Sequence, residues 1–122
     1  MKTMERYSRN EVADALHGSV AKWTRIVQTL VECPAIQPWT IEKGIYDCPL
    51  CQLFVRSTDQ WESCDGCPIS DYTGANFCGR TPYNEWNHFK YRGMERDRAL
   101  AAARSELEFL NRILDLHTEG TL

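Results

Sequence analysis

Four cysteines stand in two Cys-x-x-Cys pairs, Cys48-Pro49-Leu50-Cys51 and Cys64-Asp65-Gly66-Cys67, with twelve residues between the pairs. Two residues between thiols let both sulfurs of a knuckle face one ion, and four thiolates close a tetrahedral shell around zinc at about 2.3 Å. Gly66 can adopt the positive φ that a tight knuckle needs. Cys48, Cys51, Cys64 and Cys67 are therefore the candidate metal ligands. Residues 39–80 hold five of the six cysteines, together with glycines, prolines and few apolar runs. A segment of that composition needs another source of stability than a core, and a metal staple supplies one.

Other donors compete for the same ion. Cys78 is an alternative ligand in place of Cys48 or Cys51, and equally suits a buried thiol. His88 is a further substitute, or a polar contact on a short helix. His17 and His117 fall on predicted helices without ligand-like spacing. Cys33, beside Pro34, is read as a packing or helix-end residue. Four thiolates suit zinc or an iron–sulfur cluster. Cys67-Pro68 has an iron–sulfur flavour, but the closely spaced ferredoxin run is missing, so zinc is the leading reading. Neither pair sits in a βαβ pattern, which argues against a thioredoxin-like redox role. A filled shell leaves no position for a reacting water, so the zinc is read as structural, with no catalytic residue and no enzyme activity.

Amphipathic patterns flank this segment on both sides. Ser8-x-x-Glu11 has the form of a capping box. Ala13, Leu16, Val20, Trp23, Val27 and Leu30 then recur at helical spacing, flanked by Ile26 and Val31. This predicts one helix over 9–32, or two that meet near Gly18, which costs helix stability, with Cys33-Pro34 as the end. Thr81-Pro82 predicts the start of a short helix over 82–90, and Gly93 a break. From Glu95, Leu100, Ala103, Leu107, Leu110 and Leu114 form a stripe that Phe109, Ile113 and Leu116 widen. Arg96, Arg98, Arg104, Glu106, Glu108 and Arg112 are placed on polar faces. The expected architecture is mainly α: a single domain over 1–122, with long helices near 9–32 and 94–117 packed together, the second within a C-terminal helical region over 81–117. An irregular, zinc-knuckle-like segment covers one end. A homodimer through one helix is the alternative to packing within the monomer.

Charge limits the partners. The chain of 122 residues carries a net charge of −3, and its four Trp, five Tyr and four Phe are incompatible with a disordered tail. Between residues 42 and 71, Lys43 and Arg56 are outnumbered by Glu42, Asp47, Asp59, Glu62, Asp65 and Asp71, a side-chain sum of −4. Four thiolates around one divalent ion deepen that negative charge, and a phosphate backbone would be repelled. The basic, aromatic stretch 80–98 is the alternative nucleic-acid surface, with Arg80, Lys90, Arg92, Arg96 and Arg98 among Tyr83, Trp86, Phe89 and Tyr91. The simpler reading packs those aromatics beside the cysteine segment. Protein binding is the favoured role; Trp39, Trp61 and Tyr72 are read first as core residues, and as interface anchors wherever they prove exposed. No apolar run approaches the roughly 20 residues of a membrane span. No signal peptide is recognised at the N-terminus, so a reducing, cytoplasmic setting is expected.

Trp39-Thr40-Ile41, Cys48-Pro49-Leu50-Cys51, Cys64-x-x-Cys67-Pro68-Ile69, Thr73-Gly74, Cys78 and Thr81-Pro82-Tyr83, followed by a Leu-rich helix, form a fairly specific set. Over about two-thirds of the chain it resembles a group of small cysteine-rich prokaryotic and phage proteins. The group carries no function to transfer. The resemblance puts Cys78 on a par with the other four cysteines. It also implies an accessory protein of a phage or mobile element, such as an inhibitor or modifier of a host system.

Overall fold

The capping box forms as its residues dictate. Glu11 N–H donates to Ser8 Oγ at 3.1 Å and Ser8 N–H donates to Glu11 Oε1 at 3.0 Å. These bonds satisfy two backbone donors that a helix start leaves open. Helix α1 (Arg9–Glu32) follows without a break. In the computed structural model the described residues are 8–42, 48–50, 67–73, 81–91 and 96–120. Besides α1 they include a 3-10 turn (Pro38–Thr40), α2 (Pro68–Thr73), α3 (Tyr83–Phe89) and α4 (Arg96–Thr118). No strand occurs among the described residues. No helix there is long and apolar enough to cross a membrane.

Helix α1 ends where proline ends it. Cys33 N–H closes the last bond, to Thr29 O at 2.9 Å, and Pro34 has no N–H to continue. Cys33 itself is exposed, so it is a helix-end residue and not a packing one. Helix α4 is rich in alanine, leucine, arginine and glutamate, all strong helix formers. It ends at Gly120, whose φ of +87° suits a left-handed cap, with Gly120 N–H donating to His117 O at 3.1 Å. The short helix α3 starts within one residue of expectation, and Thr81 Oγ1 accepts from Tyr83 N–H at 3.1 Å.

The two long helices pack antiparallel and are tied at both ends. At one end Arg9 donates to His117 O, and His117 Nε2 donates to Arg9 O at 3.2 Å. At the other, the Arg96 guanidinium donates to Leu30 O at 2.7 Å, Cys33 O at 2.9 Å and Ile36 O at 3.1 Å. Those carbonyls lie at and just beyond the end of α1, where a helix leaves acceptors open and its dipole favours a cation. Arg96, expected on a polar face, is thus the C-terminal clamp of α1.

Between the ties, Leu16, Trp23, Ile26 and Leu30 of α1 meet Ala99, Ala103, Leu110 and Ile113 of α4. The alanines let the backbones approach. Trp86 of α3 is completely buried and stands edge-on to Trp23, with ring centroids 5.3 Å apart. Each fully buried Leu or Ile contributes about 1.5–3 kcal/mol. Both buried faces are rotated slightly from the expected stripes. On α1, Ser19, Lys22 and Ile26 are buried, while Val31 is exposed. On α4, Glu106 and His117 are buried, and Leu107 and Leu114 sit at the edge.

Gly18 does not interrupt α1. A Cβ there would stand 3.0 Å from Pro49 Cγ and 3.2 Å from Pro49 Cβ. The glycine admits the proline of the first cysteine pair against the helix.

Candidate functional site

Leu50, Cys67 and Ile69 belong to the buried core and Cys48 packs against it, so the helical pair holds one cysteine of each Cys-x-x-Cys pair. Cys48 lies beside α1, with its Sγ 4.0 Å from Ser19 Oγ. Cys51, Cys64 and Cys78 lie outside the described residues, as do Trp61 and Gly93. Among the described residues no three His, Cys, Asp or Glu side chains come together as a metal site. His88 is exposed and lies edge-on to Phe89, with ring centroids 4.8 Å apart.

One turn beyond Ser19, Lys22 enters a buried polar cluster centred on Glu42. The Glu42 carboxylate takes Lys22 Nζ at 3.1 Å on one oxygen and Lys90 Nζ at 3.0 Å on the other. Trp86 Nε1 donates to it at 3.0 Å, and Tyr83 OH at 3.2 Å. Burial alone would raise the Glu42 pKa. The two ammonium groups and the Trp86 and Lys90 hydrogen bonds outweigh that and hold it below the ordinary carboxylate value. Glu42 is therefore no part of an acidic surface, a correction to the charge count of the sequence. Nor is Lys90 available to a phosphate, since its ammonium is spent on Glu42.

Glu106 is the second buried acid. It projects from the middle of α4 toward α1 and is 2% exposed. Its Oε1 has no hydrogen-bond partner among the described residues. Burial pushes this carboxyl up to about 8; Cys48 adds to the rise, while Lys22 and the Tyr83 backbone N–H oppose it. The amphipathic pattern of α4 placed Glu106 on a polar face, and its burial corrects that. The one sequence cue was its register with Ala99, Ala103 and Leu110, residues of the buried face.

The exposed counterpart of this cluster is a pair of rings. Trp39 is 49% exposed and Tyr91 68%, and they stack at an interplanar angle of 23° with centroids 6.4 Å apart. Trp39 rides on the 3-10 turn, which buried Pro38 anchors and Thr40 closes by donating its hydroxyl to Gln37 O at 2.7 Å. Tyr91 follows Lys90, whose Nζ lies 5.2 Å from the Tyr91 ring centroid. Glu42 comes three residues after Trp39, and it holds the lysine that precedes Tyr91. Tyr72 of α2 is also half-exposed, with its ring against Phe109. Tyr91 was read as part of a packed aromatic group; it is the exposed member, while Trp86 fills the core and Tyr83 and Phe89 are half-buried.

No family model, curated protein or solved structure matches the chain.

Proposed function

We propose that this chain is a small metal-stapled helical protein that acts by binding another protein, as an adaptor, regulator or inhibitor, and not by catalysis. The observation that carries the reading is the stacked Trp39–Tyr91 pair, large and exposed. Two-ring aromatic surfaces of this kind lose little side-chain entropy on binding and are enriched at interface hot spots. The metal in this reading is a structural zinc on Cys48, Cys51, Cys64 and Cys67, with Cys78 as the alternative ligand. It holds the segment between the 3-10 turn and α3, and so keeps the two aromatic-bearing turns in register. The setting is cytoplasmic, and an accessory protein of a phage or mobile element fits the resemblance.

The nucleic-acid alternative on 80–98 is weakened by where its cations go. Lys90 is spent on Glu42 and Arg96 on the end of α1. The iron–sulfur alternative would announce itself by colour.

The test pairs wild type with a Trp39→Ala, Tyr91→Ala double variant of matched helical content and melting temperature. Proteins captured by wild type are identified, purified and titrated against both. Submicromolar binding by wild type, weakened at least tenfold in the variant, supports the reading, since hot-spot truncations cost at least about 2 kcal/mol. Equal affinities remove the aromatic pair from the interface. Binding of a labelled single-stranded oligonucleotide with a steep salt slope would favour the nucleic-acid reading instead.

A further inference from the structure

Gly18 and Ser19, neighbours in the middle of α1, each meet one residue of the first cysteine pair. A Cβ on Gly18 would stand 3.0 Å from Pro49 Cγ and 3.2 Å from Pro49 Cβ, tighter than ordinary van der Waals contact. A glycine inside a helix costs stability through its extra backbone freedom, and this one leaves the room that the proline ring fills. Ser19 is 1% exposed. A buried hydroxyl needs a partner, and the one described for Ser19 Oγ is Cys48 Sγ at 4.0 Å. Cys48 itself is half-buried. Leu50 is 1% exposed and belongs to the core of the helical pair. Cys48, Pro49 and Leu50 thus sit on the helices through a polar contact, a ring in a notch and a buried aliphatic side chain. None of these three contacts involves a charge or needs an ion.

We propose that Cys48-Pro49-Leu50 is a latch held by the helical pair itself, which stays docked, with the Cys48 thiol in a fixed place, when no metal is bound. Lifting it would expose the Leu50 side chain, empty the notch over Gly18 and take away the described partner of the Ser19 hydroxyl. The three losses come together, because the three residues are consecutive. The latch does not depend on the metal-binding reading. Where that reading holds, the latch adds a consequence to it: one thiol is positioned before the ion arrives, and less ordering is left for binding to supply.

The experiment uses the full-length chain, kept reduced, stripped with a strong chelator and then freed of it. Alkylation by iodoacetamide is timed in native buffer and in urea, and the rate at each cysteine is read by peptide mass spectrometry. Each thiol is compared with itself unfolded, and Cys33, exposed at the end of α1, is the internal reference. Cys48 of the metal-free wild type should react at least about tenfold more slowly in native buffer than in urea, because reaction waits for local opening. Cys33 should react nearly as fast in both. Gly18→Leu and Leu50→Ala, which disturb the latch from opposite sides, should each return Cys48 toward its unfolded rate without changing Cys33. A Cys48 rate in native, metal-free wild type equal to that in urea would overturn the proposal. Full protection of Cys48 in both variants would do the same, and should Gly18→Leu fail to fold, Leu50→Ala decides alone. The metal content of the untreated chain, measured separately, bears on the metal reading and not on the latch.

Discussion

Glu42 shows what a single buried charge does here. Four side chains from α1, α3 and the residue after it converge on one carboxylate, and two of them are lysines. Removing the anion alone would strand two ammonium groups in the interior. Glu42→Gln is therefore expected to cost about 3–5 kcal/mol in urea unfolding, and a change under 1 kcal/mol would mean that the lysines find water instead. The same residue sets an acid limit. Its folded pKa lies below the ordinary value of 4.5. Its contribution is therefore complete above about pH 4.5 and is lost as pH falls through the lower folded value. Chemical denaturation between pH 6 and 3 should show wild type losing stability that Glu42→Gln does not have to lose. None of this cluster was legible in the sequence. Lys22, Glu42 and Lys90 are separated by 20 and 48 residues, and each taken alone has the character of a surface charge.

At the scale of elements, the sequence was informative wherever the signal is local. The capping box, the proline stop after Cys33, the Thr81-Pro82 start and the long apolar stripes depend on neighbours within about one helical turn, and each produced the expected helix. What local patterns could not supply was the rotation of each helix, because that depends on the partner. Ser19 and Glu106 entered the interface, and Val31 left it. Gly18 is the instructive residue. By helix propensity alone, Gly18→Leu would stabilise α1 by somewhat under 1 kcal/mol. Against Pro49 it should instead destabilise by about 1–3 kcal/mol, since the larger side chain must displace the proline. A thermal melt gives the sign directly. Arg96→Met should likewise lower stability by roughly 1.5–3 kcal/mol, because a charged donor is taken from three carbonyls. Arg96→Lys, with one compact donor group in place of a planar fork, should recover only part of that loss.

For the whole molecule, the helical pair and the cysteine segment depend on different forces. The pair has its own apolar core, so in the proposed reading metal removal should not melt it. A strong chelator, or Cys51→Ser, is expected to leave most helical circular dichroism in place while the near-ultraviolet signal of the tryptophans changes. Simultaneous loss of both signals would make the ion a condition for the entire fold. The four-thiolate pattern was plain from spacing, whereas the burial of Glu106 was not, because it depends on what α4 packs against and not on the spacing within α4.

The ties between Arg9 and His117 join residues 108 positions apart, and those from Arg96 to Leu30 and Cys33 span 66 and 63. A chain made from its N-terminus presents α1 long before α4 exists. Through most of synthesis the Leu16, Trp23 and Ile26 face has no helix to meet, and at about 5–20 residues per second that interval lasts several seconds. Closing so long a loop is slow relative to forming either helix. The nascent chain is thus exposed to aggregation or to capture by a chaperone until α4 leaves the ribosome, and the antiparallel pair forms only then.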